Sequence, residues 1–148
     1  MAVEIAWDVA DRPLSDGAVR DAVEAALRHG GREGVPLSVV LVDDGALAEL
    51  HGRFLGDPTP TDVIAFDLGE EGGGPEGEVY VSVERAREVA ARRGVEPARE
   101  LALYLVHGVL HLCGYDDHDE EQSARMRAAE TAVLRSLGFT DDDAPHHD

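Results

Sequence analysis

The chain has 148 residues, 43% of them hydrophobic, which is enough for one domain with a real core. Its formal net charge of −18 argues against a protein whose whole surface binds nucleic acid, and its single cysteine excludes an internal disulfide. No apolar run reaches the length of a membrane span and the N-terminus lacks the basic-then-apolar pattern of a signal peptide, so the expected location is the cytoplasm.

In chain order, Val3, Ile5 and Trp7 alternate with polar or small residues and predict a first strand. Asp16 offers an N-cap for a helix whose inner face is Val19, Val23, Ala26 and Leu27, and His29, Gly30, Gly31 and Gly34 end it. Leu37 to Val42 is apolar on both faces, as expected of a central strand. A short helix follows from about Gly45 to Phe54, then a turn-rich loop from Leu55 to Pro60. Val63 to Leu68 reads as a third strand, Gly69 to Gly77 as a flexible hairpin connection, and Val79 to Val83 as a fourth strand. A helix from about Glu84 to Arg93 is closed by Gly94. Pro97 suits the first turn of the next helix, which is apolar almost all round from Leu101 to Leu112 and belongs at the centre of the fold. The last helix, about Glu120 to Leu137, buries Met126, Ala129, Val133 and Leu137, and Gly138 stops it. The fold class is α+β: a small mixed sheet of about four strands packed with about five helices. Residues 1–138 form the single domain and residues 139–148 a polar, acidic tail, with His146 and His147 in a segment expected to be disordered.

The central helix carries the chemistry. His107 and His111 stand four residues apart, about one helical turn, so both imidazoles project from one face. Gly114 lets the helix stop and the chain turn back, and Asp117 and His118 follow that turn. Two ligands on a rigid helical turn, a third returned by a loop and a fourth position open to water describe a catalytic zinc site, one ion per chain. The surrounding Leu105, Val106, Val109, Leu110 and Leu112 bury much of that face, and a buried imidazole needs a partner for each nitrogen. The spacing is close to the HExxHxxGxxH signature of zinc proteases, but Gly108 stands where those enzymes carry their general-base glutamate, which argues against peptidase chemistry.

The run His107-Gly-Val-Leu-His111-Leu-Cys-Gly114-Tyr-Asp closely resembles the signature of the YbeY-type rRNA maturation factors, single-domain zinc-dependent endoribonucleases of bacteria. Two further blocks occur in that family's order: Pro60-Thr-Asp-Val-Ile-Ala-Phe66 and Gly77-Glu-Val-Tyr-Val-Ser82. The resemblance covers roughly residues 35 to 137. It implies an endoribonuclease acting on single-stranded RNA in rRNA maturation, at the 3′ end of 16S rRNA, and in ribosome quality control. It implies the ribosomal small subunit as partner, with no membrane and no DNA. The family's third ligand lies six residues after the second histidine, where this chain has Asp117, with His118 next. Register favours Asp117 and ligand type favours His118; the reading leans to Asp117. The family often carries an arginine five residues before the PTDV proline, where this chain has Leu55, and Arg53 is the candidate for that phosphate-binding role.

The remaining candidates have bland explanations beside them. All 13 basic residues are arginine, and the cluster Arg85, Arg87, Arg92, Arg93 and Arg99 is either a local positive face or a solvated helix laced with Glu84, Glu88 and Glu96. Asp62 and Asp116 are the carboxylates nearest the motifs, each also explained as a cap. Glu100, seven residues before His107, either orients that imidazole or stabilises the helix N-terminus. Cys113 reads as a small buried hydrophobe. Two rival functions fit the same residues: a zinc hydrolase of peptides or another small substrate, and a non-catalytic ribosome-assembly factor with structural zinc.

Overall fold

The computed structural model describes residues 3–55, 62–69 and 75–139, with backbone only at residues 54 and 55. Nine elements follow one another: β1 (Val3–Trp7), α1 (Asp16–His29), β2 (Leu37–Val42), α2 (Asp44–Leu55), β3 (Val63–Asp67), β4 (Gly77–Ser82), α3 (Val83–Arg93), α4 (Pro97–Leu112) and α5 (Glu120–Ser136). The strands form one sheet in the order β1-β2-β4-β3. β2 runs parallel to both of its neighbours, β1 and β4, so a strand apolar on both faces lies inside the sheet as expected. β3 and β4 pair antiparallel, Val63 opposite Val81 and Ala65 opposite Val79; residues 70–74 of the expected hairpin connection lie outside those described.

The alternation of strand residues divides the core. Val39, Val79 and Val81 are fully buried in the main cluster, beside Val23 and Ala26 of α1, Ala86 of α3 and Leu101, Leu105 and Leu110 of α4. The residues of opposite orientation, Val40, Ile64, Phe66 and Tyr80, pack with Leu47 and Leu50 of α2 in a second, smaller cluster. α4 is the hub: it packs on β3 and β4 and against α1, α3 and α5. That is why its sequence is apolar nearly all round. None of the described helices is long and apolar enough to cross a membrane.

The boundaries shift where local chemistry decides them. Ser15, not Asp16, caps α1 by accepting from the Ala18 N–H at 3.1 Å; Asp16 accepts from Trp7 Nε1 at 2.6 Å. β4 begins at Gly77, two residues before the expected Val79, because the ladder with Leu37 and Asp67 continues that far. Ser82 ends the strand and caps α3. Phe139, the first residue of the expected tail, still packs against the core, and residues 140–148 lie outside those described.

Candidate metal centre and the cavity beside it

α4 presents His107 and His111 on one face, with ring centroids 5.7 Å apart and planes inclined by 52°. The helix ends at Leu112, and Gly114 takes φ +100°, a left-handed conformation that an L side chain rarely adopts. The Tyr115 N–H then closes back on the Leu110 carbonyl at 3.0 Å. This turn returns the chain over the helix face, and the Tyr115 carbonyl accepts a hydrogen bond from His111 Nδ1 at 2.8 Å. A carbonyl only accepts, so His111 carries its proton on Nδ1 and offers the Nε2 lone pair.

His107 is held in the same sense from another element. Its Nδ1 lies 2.5 Å from Oε2 of Glu130, a residue of α5 that is only 7% exposed. The Nδ1 proton directed at that carboxylate leaves Nε2 as the free donor atom, and Nε2 lies 4.0 Å from Asp117 Oδ2. Burial of the ring works against its charged form, but the hydrogen bond and charge of Glu130, with Asp62 and Asp117 adding, outweigh it and raise the imidazole pKa above its ordinary value.

Donor atoms of His111, Asp116 and Asp117 lie within 4.8 Å of one another, and His107 joins them through Asp117. Ligand atoms around a tetrahedral zinc stand about 3.3–3.6 Å apart, from bond lengths of roughly 2.0–2.2 Å. The set is of nitrogen and oxygen donors, and both histidines already have the outer hydrogen bond that metal-bound imidazoles carry. The donors therefore suit a zinc-like ion. Asp117 faces His107, whereas His118 is 79% exposed on its side chain and turns its Nε2 to Asp116 Oδ1 at 3.1 Å.

A cavity of about 320 Å³ opens beside His107 and Asp117. Gly108 explains why no glutamate follows the first histidine: a β-carbon there would lie 2.8 Å from Val63 Cγ2 and 2.9 Å from Val79 Cγ1, so the sheet occupies the space. Glu100 lines the cavity but does not hold His107; it is 1% exposed, with Arg93 Nη1 3.9 Å from its Oε2. Tyr104 is buried beside it. Burial first, then the charges of Glu100 and Asp62, raise the phenol pKa far above its usual range and keep it protonated. Asp62 lines the same cavity, while Asp116 joins the donor cluster. Arg53 is exposed on α2, 3.6 Å from Glu49 one turn earlier, and is not among the residues lining the cavity. Glu130 escaped the sequence reading although its signal was present: it interrupts the buried stripe Met126, Ala129, Val133 with a carboxylate.

Three comparisons bear on this site. A family model described as Endoribonuclease YbeY matches residues 8–138. The chain is 38% identical to the Endoribonuclease YbeY of Carboxydothermus hydrogenoformans, over 82% of this chain and 85% of that protein. It is 34% identical to the protein of the same name from Mycolicibacterium smegmatis, over 100% of this chain and 89% of the relative. Among solved structures, the solution structure of TM1509 from Thermotoga maritima matches with a TM-score of 0.64 at 26% identity, covering 91% of this chain and 88% of that one.

Proposed function

The chain belongs to the Endoribonuclease YbeY family, and on that premise we propose that it is a zinc-dependent endoribonuclease that cuts single-stranded RNA. In this reading its substrate is rRNA on the ribosomal small subunit, its cut contributes to maturation of the 16S rRNA 3′ end and to ribosome quality control, and it works in the cytoplasm. The observation that carries the hydrolytic reading is the pair of imidazoles whose Nδ1 atoms are both engaged, by Glu130 and by the Tyr115 carbonyl, leaving two Nε2 donors beside Asp117 at a cavity edge.

His107, His111 and Asp117 would hold the ion; Asp116 offers a further carboxylate in the same cluster, and His118 lies outside it, turned to Asp116. When bound, zinc supplies Lewis acidity, lowering the pKa of a water and polarising a phosphoryl oxygen. The protein's part is to fix the donors. Glu130 holds the His107 proton on Nδ1 and the Tyr115 carbonyl does the same for His111, so neither ring turns away. Tyr104 stays protonated and keeps its hydroxyl as a donor. The sheet under Gly108 fills the place of a protease-type general base. The test is cleavage of a single-stranded RNA by the zinc-loaded protein, alongside a duplex of the same sequence. Cutting confined to the single strand, abolished by chelation and restored by zinc is expected. Undiminished cutting after replacement of both His107 and His111 by alanine would overturn the reading.

A further inference from the structure

The cavity beside the metal centre carries three arginines, Arg85, Arg93 and Arg127, in a chain whose net charge is −18. Arg85 is committed: its Nε stands 3.6 Å from Asp44 Oδ1 and its side chain is mostly buried. The other two differ from their neighbours. Arg92 and Arg125 each pair with a glutamate one turn back, Glu88 and Glu121, on exposed surface. One turn before Arg93 stands Val89, and one turn before Arg127 stands Ser123; both of those residues line the cavity instead of supplying a carboxylate. Among the described residues, the ion-pair partner of Arg93 is the buried Glu100 at 3.9 Å. Arg127 is exposed and makes no ion pair among the described residues.

The cavity's carboxylates leave Arg127 uncompensated and Arg93 with one loose partner: Glu130 is engaged by His107, Asp117 faces the histidines, and Glu100, 1% exposed, stands 3.9 Å from Arg93, while Asp62 also lines the cavity. The floor of the cavity includes Leu103, Tyr104 and Met126, buried and largely apolar. A cavity of about 320 Å³ takes one nucleotide unit.

We propose that Arg93 and Arg127, from the C-terminal turn of α3 and from α5, form a phosphate subsite for the nucleotide adjoining the cut, with the apolar floor under its sugar and base. The role expected of Arg53 falls to these two residues. The subsite rests on the endoribonuclease reading for the identity of the strand. Phosphate contacts position a strand without reading its bases, so the subsite confers no base preference.

The probe is a single-stranded uridine octamer with hydrolysis-resistant phosphorothioate linkages, its affinity for the zinc-loaded protein followed by fluorescence anisotropy from 0.05 to 1 M salt. A single-strand phosphate contact contributes a slope of about −0.7 in log K against log salt, so each lost contact costs roughly fivefold at 0.1 M. Arg93→Ala and Arg127→Ala are each expected to weaken binding about fivefold and to flatten the slope by about 0.7, and the double variant to weaken it about 25-fold. Arg93→Lys, which keeps a cation beside Glu100, should regain most of the affinity. Arg53→Ala should stay within about twofold of the parent. Single variants that bind as the parent does, with unchanged slopes, or an Arg53→Ala loss equal to theirs, would overturn the subsite. A parent protein that binds the octamer through these arginines but cuts no RNA would remove the endoribonuclease reading and leave the subsite standing.

Discussion

Gly108→Ala puts the steric account of the site to a quantitative test. The new β-carbon would lie 2.8 Å from Val63 Cγ2 and 2.9 Å from Val79 Cγ1, and Val79 is fully buried. Valine methyl groups are stiff about χ1, so the strands themselves must give. Overpacking of this kind costs about 1–3 kcal/mol. Against it stands the helix-propensity gain of replacing glycine by alanine, about 0.8–1 kcal/mol. The net is a destabilisation of roughly 1 kcal/mol, which lowers Tm by about 2–4 °C in a domain of this size. Thermal melts of the metal-free protein measure it. In a Val63→Ala background, where one of the two clashing methyl groups is gone, the cost of Gly108→Ala should shrink by at least about 0.5 kcal/mol. If Gly108→Ala raises Tm by the full propensity gain in both backgrounds, the sheet does not close that position.

Three further outcomes follow from the same geometry. Glu130→Gln, which keeps the shape but weakens the hold on the His107 ring, should lower zinc affinity by about 10–100-fold and shift the visible spectrum of the cobalt-substituted protein; an unchanged affinity and spectrum would reduce Glu130 to a packing residue. Asp117→Ala should cut zinc affinity by orders of magnitude while His118→Ala costs at most about 10–100-fold, measured by competition with a chromophoric chelator, and an emptied site in His118→Ala alone would reverse the assignment. Casein and peptide substrates should be left intact, because Gly108 and the sheet behind it leave no room for the protease glutamate; chelator-sensitive proteolysis that survives exhaustive purification would contradict this.

Much of the fold was legible because local patterning and tertiary packing agree in this chain. Leu37–Val42 reads as central because both of its faces are apolar, and it lies between β1 and β4; Leu101–Leu112 reads as the buried centre, and α4 is the hub. What was not legible depends on contacts distant in sequence. Glu130 lies 23 residues from His107, and only the packing of α5 on α4 brings them together. Glu100 has the right helical spacing for that role, yet the cavity wall takes it toward Arg93 and Tyr104. The reading of Gly108 as a missing base was available from the motif, but the reason for it, Val63 and Val79 of two strands, was not. The arginine cluster resolved the same way: Arg92 and Arg93 are adjacent in sequence, but one pairs on the surface and the other lines the cavity.

A metal site built from His107, His111 and Asp117 would leave one position open to water, and X-ray absorption of the zinc-loaded protein reads out its ligands. One zinc per chain is expected, with only nitrogen and oxygen neighbours at about 2.0–2.2 Å, scattering from two imidazoles, and an oxygen that exchanges for added anion. A sulfur neighbour at about 2.3 Å, which would bring in Cys113, or a closed set of four protein ligands would contradict it.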